Sequence, residues 1–167
     1  GITMDSVAYN VGQLNQAILN IREQFGYEKP ILVEELLTGK DLTLGILGNP
    51  PETYSVLPVI EEDYSALPGD LPRICGYEAK WIEDSPYFKL LRSVPADIPE
   101  HTSKLIIESS LKLSGRLGCR DYCRFDWRLD ARGQPRLLEV NPNPGWCWDG
   151  HLAKMAVIAG MNYSVLL

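Results

Sequence analysis

Hydrophobic and polar residues follow two periods along this chain, and the helical period predicts three helices. Over residues 6–26 apolar side chains recur every three or four positions, Asp5 or Ser6 can cap the first turn, and Gly26 is placed to end the helix. A second helix is expected over residues 100–118, with Gly118 at its end, and a third over residues 150–160. The apolar face of the second helix is predicted to contain Leu105, Ile106, Ser109, Leu113 and Leu117.

Short apolar runs bounded by Gly, Pro and Asn predict strands between these helices. The predicted strands are Ile31–Leu37, Leu42–Leu47, Thr53–Ile60, Tyr122–Leu129 and Arg136–Asn141. The first three look like successive antiparallel strands joined by short turns, and the last two form a hairpin around residues 131–134. Five prolines break the pattern between residues 61 and 99, which predicts a long irregular stretch of the kind that is often functional.

Composition narrows the class of protein without naming a function. A chain of 167 residues with 45% hydrophobic and 23% charged residues is typical of one globular domain. Its net charge of −6 argues against binding to nucleic acid as a polymer, which requires a basic surface. No apolar run is long enough for a membrane helix, and the first residues do not resemble a signal peptide. Four cysteines without metal-site spacing predict reduced thiols in a cytoplasmic protein.

The predicted hairpin over residues 124–141 carries the most informative set of polar residues. If Asp130 faces Pro135 across the turn, Asp126 lies opposite Glu139, and alternation places a polar set on one face. That face contains Arg124, Asp126, Glu139 and Asn141. The other face contains Phe125, Trp127, Leu138 and Val140, which suit a core. A slip of one residue would exchange the two faces, although the apolar face opposes such a slip.

Two carboxylates directly opposite each other on a sheet repel, so this face needs a compensating charge. A bound cation would supply it, because the oxygens of Asp, Glu and Asn side chains are hard ligands suited to Mg²⁺. Arg124 beside them could hold an anionic group such as phosphate. The alternative is a solvated hairpin face on which charges alternate without a ligand.

The order of several motifs resembles the C-terminal part of the ATP-grasp ligases, and within them the D-alanine–D-alanine ligases. The resemblance is carried by Arg124-x-Asp126, by the run LLEVNPNPG over residues 137–145, by ILVEELLTGKDLT over residues 31–43, and by YEAK over residues 77–80. It implies an α+β fold with a mainly antiparallel sheet flanked by helices. Residues 1–43 would belong to the small ATP-binding subdomain and hinge, and residues 44–167 to the catalytic, metal-binding subdomain. The N-terminal substrate domain of the family is absent from this sequence.

The resemblance implies a role for each matching residue. The adenine and ribose of ATP would contact Glu34, Glu35, Leu37 and Asp41, and the phosphates would lie near Tyr77 and Lys80. The Mg²⁺ ligands would be Asp126, Glu139 and Asn141, with Mn²⁺ able to replace Mg²⁺. Arg124 and the backbone of Gly145 would stabilise the tetrahedral intermediate. His101 and His151 receive no catalytic role, and His101 is expected to be exposed near a helix N-terminus.

The implied activity is an ATP- and Mg²⁺-dependent joining of a carboxylate and an amine through an acyl phosphate, as in peptidoglycan biosynthesis. The substrates would be amino acids, the location cytoplasmic, and the chain by itself inactive. Three alternatives stay open: a ligase with a different amine substrate, a nucleotide-binding fragment without turnover, and a structural remnant that pairs with another chain. An apolar surface left exposed would favour the third of these alternatives, and it could also drive formation of a homodimer.

Three departures from the family pattern bear on these expectations. The family's substrate domain and most of its glycine-rich loop precede the region matched here, although Gly1-Ile2 resembles the tail of that loop. The loop after Gly145 contains Trp146, Trp148 and His151 where D-alanine ligases have small hydroxyl residues. That difference suggests another amine partner, unless the Trp pair only packs under the loop. Trp81 stands where the family usually has Tyr or Phe.

Overall fold

The computed structural model describes residues 2–166, so the predicted likeness of Gly1 to a glycine-rich loop lies outside the described residues. These residues form two units. The first unit contains the described residues up to Leu36 together with Tyr64–Leu91. The second unit contains Leu37–Asp63 and the described residues from Arg92 onward. Within the described range, no helix is both long and apolar enough to span a membrane. The subdomain boundary expected between residues 43 and 44 stays a prediction.

The first unit is helical. Its elements are a 3-10 turn at Met4–Ser6 and the helices α1 (Val11–Phe25), α2 (Tyr77–Trp81) and α3 (Pro86–Leu90). Helix α1 starts later than predicted because Asn10, and neither Asp5 nor Ser6, accepts a hydrogen bond from the Gln13 backbone N–H at 3.0 Å. Gly26 ends α1 as predicted, and its φ of +97° is one that side-chain-bearing residues rarely adopt.

The strand predicted over Ile31–Leu37 is wrong. Residues 31–38 have no regular secondary structure, and Leu32 and Val33 are 79% and 56% exposed. Apolar residues favour a strand only when another strand or a core covers them, and no described strand pairs with this run. The stretch between residues 61 and 99 that was predicted to be irregular also contains regular structure, since α2 and α3 lie within it. Tyr87 of α3 is buried, and its hydroxyl donates a hydrogen bond to the Pro72 carbonyl at 2.8 Å.

The second unit is built on a sheet of six antiparallel strands within the described part of the chain. The strands are β1 (Asp41–Asn49), β2 (Thr53–Val56), β3 (Ile60–Asp63), β4 (Arg92–Pro95), β5 (Tyr122–Leu129) and β6 (Pro135–Asn141). Their order is β4-β3-β1-β5-β6, and β2 pairs with the far end of β1. The predicted α+β fold with a mainly antiparallel sheet flanked by helices is therefore confirmed.

The strand predicted over Thr53–Ile60 is divided into β2 and β3, which both pair with β1. Pro58 lies in the break and cannot donate a ladder hydrogen bond, so the chain leaves one pairing and enters the next there. The strands are therefore not three successive neighbours, as predicted. β4, which was not predicted, pairs with β3 and extends the sheet at that edge.

One face of the sheet packs against helix α4 (Glu100–Leu117). Leu44, Ile46 and Phe125 are fully buried there with Ile106 of the helix. The helix itself was predicted, but its buried residues are Thr102, Ile106, Ser110 and Ser114, spaced four apart, whereas Leu105 and Leu117 are exposed. Small serines let the helix approach the sheet closely, and the Trp127 Nε1–H donates to Ser110 Oγ at 3.1 Å. Periodicity of large apolar residues could not show this choice of face.

The opposite face packs against helices α5 (His151–Ile158) and α6 (Tyr163–Leu166). A side-chain carbon on Gly45 would lie 2.8 Å from the end of the Leu152 side chain and 3.3 Å from the end of the Met155 side chain, so any larger residue would require these side chains to shift. Helix α5 was predicted over residues 150–160, whereas α6 was not predicted. The rest of the face carries polar residues.

Candidate active site

Strands β5 and β6 place the four predicted polar residues on one face. Arg124 pairs with Asn141, and Asp126 pairs with Glu139, as predicted. A bulge follows between Asp126 and Trp127 and shifts the register by one residue. The predicted pairing of Asp130 with Pro135 is therefore wrong, because Leu129 takes that position. The same shift leaves Leu138 56% exposed rather than in the predicted core.

Asp126 is held by two neighbours in this face. Arg124 donates from Nε to Oδ1 at 2.9 Å and from Nη2 to Oδ2 at 2.7 Å, and both side chains are largely buried. Thr43, which pairs with Asp126 from β1, donates its hydroxyl to Oδ1 at 3.2 Å. The guanidinium thus offsets part of the repulsion expected between Asp126 and Glu139. It also keeps the Asp126 carboxylate in one orientation.

Glu139 and Asn141 complete the set of oxygen donors. The Glu139 side chain is exposed and makes no hydrogen bond or ion pair with any described residue. The Asn141 Oδ1 accepts the Asn143 backbone N–H at 3.0 Å, which leaves this oxygen a second lone pair. Two carboxylates and an amide oxygen on neighbouring strands match the ligands that Mg²⁺ and Mn²⁺ prefer. The described part of the chain holds no cluster of three or more His, Cys, Asp or Glu that could bind a metal, so the predicted set differs from such a cluster by including the amide of Asn141.

The polar face continues onto β1, where Asp41 lies opposite Arg128. The Arg128 Nη1 donates to the Asp41 Oδ2 at 3.0 Å, and both side chains are largely buried. A buried pair of this kind is costly to break, because the remaining charge lacks compensation. The carboxylate predicted to hold the ribose is therefore already fixed by a neighbouring cation.

Further along the same face, Glu62 of β3 connects the sheet to the start of α5. The Glu62 Oε1 accepts the Ser93 hydroxyl at 2.7 Å and lies 2.9 Å from the His151 Nε2. Burial raises the pKa of the Glu62 carboxyl, but the hydrogen bonds and charges of His151, Ser93 and Lys154 outweigh burial and hold that pKa below its ordinary value of 4.5. His151 thus fixes the end of the loop that carries Gly145.

Gly145 itself lies in an exposed part of that loop. A side-chain carbon built on it would meet no described atom within 4 Å, so protein packing does not require glycine here. Trp146 packs its ring against Tyr122 and Trp148 is 77% exposed, so the two Trp residues do not both pack under the loop.

The remaining predicted residues lie outside this face. Glu34 and Glu35 are exposed in the irregular segment of the first unit, and Leu37 is the first residue of the second unit. Tyr77 and Lys80 lie on α2, a short helix rather than the expected loop, and both side chains are exposed. Their neighbour Glu78 accepts the Met4 backbone N–H at 3.0 Å, which holds α2 against the start of the chain.

Comparison with known proteins identifies the family. The family model described as "D-ala D-ala ligase C-terminus" matches residues 4–167, nearly the whole chain. This chain belongs to that family.

Individual relatives agree with the family match. The uncharacterized protein y4sG of Sinorhizobium fredii is 31% identical over 161 residues, which cover 96% of this chain and 45% of that protein. The D-alanine–D-alanine ligase of Haemophilus influenzae is 34% identical over 143 residues, covering 84% of this chain and 42% of the ligase. The chain thus spans less than half the length of these relatives.

Solved structures show the same fold. The crystal structure of the D-alanine–D-alanine ligase from Bacillus anthracis superposes with a TM-score of 0.67 and 25% identity, over 95% of this chain and 46% of that one. The structure of the same ligase complexed with ATP superposes with a TM-score of 0.68 and 21% identity, over 95% and 45%. The D-ala D-ala ligase C-terminal fold is thereby shown for this chain.

Three contacts of this family member were not predicted from its sequence: Thr43 with Asp126, Arg128 with Asp41, and His151 with Glu62. The first two join β1 to β5, strands that are more than seventy residues apart along the chain. The one available signal was the alternation in β5, which places Arg128 on the same face as Arg124 and Asp126. Nothing local marks Glu62, because its partner lies on a helix near the C-terminus.

Proposed function

We propose that this chain is the ATP- and Mg²⁺-binding catalytic part of a carboxylate–amine ligase similar to D-alanine–D-alanine ligase. The observation that supports this most is the pairing of Asp126 with Glu139 and of Arg124 with Asn141 on one polar face, in a chain of this family. The ligase complexed with ATP that shares this fold adds support for the nucleotide.

In this proposal Asp126, Glu139 and Asn141 hold one or two Mg²⁺ ions, or Mn²⁺ in their place. The ions supply neutralising charge for the phosphates of ATP. Asp126 enters this role already oriented by Thr43 and Arg124, so little side-chain freedom is lost when a ligand binds. Glu139 is the accessible carboxylate of the pair.

The nucleotide contacts follow the family pattern. Glu34, Glu35 and Leu37 would contact the adenine, Asp41 the ribose hydroxyls, and Lys80 beside Tyr77 the phosphates. The Asp41 carboxylate that would meet the ribose is held in place by Arg128. Lys80 is exposed and has no ion pair with a described residue, which suits a side chain that meets a ligand phosphate.

The reaction has two steps. A substrate carboxylate oxygen attacks the terminal phosphorus of ATP, which forms an acyl phosphate and releases ADP. An amine nitrogen then attacks the acyl carbon, and collapse of the tetrahedral intermediate expels phosphate and leaves an amide. Arg124 and the Gly145 backbone N–H would stabilise the oxyanion of that intermediate, a task suited to fixed donors. No protein nucleophile is required.

The amine substrate is expected to be an amino acid, and the loop after Gly145 bears on which one. Exposed Trp148 and the anchored His151 stand where D-alanine ligases have small hydroxyl residues, which favours an amine other than D-alanine. The reaction is expected in the cytoplasm, where ATP is available, and in peptidoglycan biosynthesis if the product is a D-amino acid dipeptide. A homodimer stays a prediction.

The test is ADP release by the polypeptide that the complete reading frame encodes, with ATP, Mg²⁺ and a panel of D- and L-amino acids. The variant Glu139→Gln keeps the size of the side chain and removes its charge. We expect it to lower turnover at least a hundredfold, because removing one transition-state contact typically costs about 10²–10³. The control Glu108→Gln changes an exposed glutamate of α4 and should leave turnover unchanged. ADP release that no amino acid stimulates, or that Glu139→Gln leaves intact, would refute the proposal.

A further inference from the structure

Tyr122, the first residue of β5, touches the loop after β6 on both sides of Gly145. Its ring packs on the Trp146 ring, with centroids 4.6 Å apart and planes tilted by 56°. Its hydroxyl donates a hydrogen bond to the Asn143 side-chain oxygen. Gly145 lies between Asn143 and Trp146, so one side chain fixes the loop before and after it.

The hydroxyl contact continues to a predicted metal ligand. The Asn143 side-chain oxygen accepts a hydrogen bond from the Tyr122 hydroxyl. The Asn143 backbone N–H in turn donates a hydrogen bond to Asn141 Oδ1 at 3.0 Å. The Asn141 amide is therefore held in one orientation by a chain of two hydrogen bonds that begins at Tyr122. An outer contact of this kind orients a ligating side chain without touching the ligand.

Tyr122 can act as a fixed support because it is part of the sheet. It pairs with Leu47 of β1 and packs against the cluster formed by Leu152, Met155 and their neighbours. Side chains held by packing on a strand keep a loop in place more effectively than another loop would. The ring contact of Tyr122 with Trp146 stabilises the loop beyond what burial of apolar area alone contributes.

From these contacts we propose that Tyr122 is a positioning residue, which sets the Asn141 amide through Asn143 and the Gly145 backbone through Asn143 and Trp146. The proposal rests on the proposed function for the roles of Asn141 and Gly145, but the contacts themselves do not depend on it. Two effects can be separated, because Tyr122→Phe removes the hydroxyl and keeps the ring, whereas Tyr122→Leu removes both.

The test combines NMR order parameters of the loop with Mn²⁺ affinity, both measured on the 167-residue chain. We expect Tyr122→Phe to lower the backbone order parameters of Asn143 and Gly145 from about 0.85 toward 0.6, with Trp146 unchanged. Tyr122→Leu should lower all three. Tyr122→Phe should also weaken Mn²⁺ binding about tenfold without a change in melting temperature. The control Tyr54→Phe, an exposed tyrosine of β2, should change neither measurement.

Equal order parameters in wild type and Tyr122→Leu would overturn the proposal. So would unchanged Mn²⁺ affinity in Tyr122→Phe when the wild-type chain binds Mn²⁺. If the wild-type chain binds no Mn²⁺, the metal part of the proposed function fails instead, and the order parameters alone decide the role of Tyr122. The two failures are therefore distinguishable.

Discussion

At the scale of single residues, each acidic side chain on the polar face of the sheet except Glu139 has a fixed partner in its own unit. Asp126 is bound by Arg124, Asp41 by Arg128, and Glu62 by His151. A cation that binds Asp126 therefore lies near the Arg124 guanidinium. The guanidinium weakens the attraction between the carboxylate and the cation, but it also keeps the carboxylate in place. The exposed Glu139 offers the least obstructed charge for a cation.

Glu62 gives a prediction that depends on pH. In the folded protein the pKa of the Glu62 carboxyl lies below its ordinary value of 4.5, so the ionised carboxylate stabilises the fold at pH values above 4.5. This stabilisation is lost as the pH falls through the pKa of Glu62 in the folded state. The difference in free energy of unfolding between wild type and Glu62→Gln should be full at pH 6 and shrink toward zero in acid. Chemical denaturation between pH 3 and pH 7 measures it. A difference that grows as the pH falls would have the wrong sign.

At the scale of elements, the face of helix α4 that packs against the sheet determines which substitutions destabilise the fold. Ile106 is fully buried, whereas Leu105, one position earlier and of equal size, is 46% exposed. Ile106→Ala should destabilise the fold by about 2–5 kcal/mol, because it removes buried carbon and leaves a cavity. Leu105→Ala is the matched control and should cost about 0.5 kcal/mol or less. Equal decreases in the free energy of unfolding for the two variants, measured by urea denaturation, would contradict this account and would support the helix face predicted from periodicity.

Elements defined by local pattern were predictable from the sequence, and elements defined by distant partners were not. Helices α1, α4 and α5 and strands β1 and β5 follow from spacing and from glycines at their ends. The run over Ile31–Leu37 has the composition of a strand, but nothing in its own sequence shows whether a neighbour pairs with it. β4 has only four residues, too few for a pattern, and only its pairing with β3 makes it a strand.

The candidate site follows the same division. The polar face with Asp126 and Glu139 could be predicted, because a hairpin brings residues close in sequence together and side chains alternate along its strands. The bulge after Asp126 could not be predicted, because no local signal marks the extra residue. The turn register predicted from Asp130 opposite Pro135 is wrong by one residue, and the bulge offsets that error, so Asp126 still lies opposite Glu139. The contact of His151 with Glu62 joins residues 89 apart, and no local signal indicates it.

At the scale of the whole chain, the pairing of charges bears on the proposal that this acidic protein binds a nucleotide. The net charge of the chain is −6, and uncompensated negative charge at the site would repel the phosphates of ATP. Instead, Asp41 and Asp126 are each paired with an arginine, and the proposed cations would offset Glu139. The chain spans less than half the length of the two relatives compared above, so the activity of a complete ligase stays a proposal.

The central claim is that the face made by Asp126, Glu139 and Asn141 binds a divalent cation together with ATP. Electron paramagnetic resonance of Mn²⁺, with and without ATP, measures this directly on the 167-residue chain. Wild type should bind Mn²⁺ and hold it more tightly when ATP is present. Asp126→Asn should weaken binding at least tenfold, whereas Asp97→Asn, at a fully exposed position of the same unit, should leave it unchanged. Mn²⁺ affinity that is the same in wild type and Asp126→Asn would contradict the account.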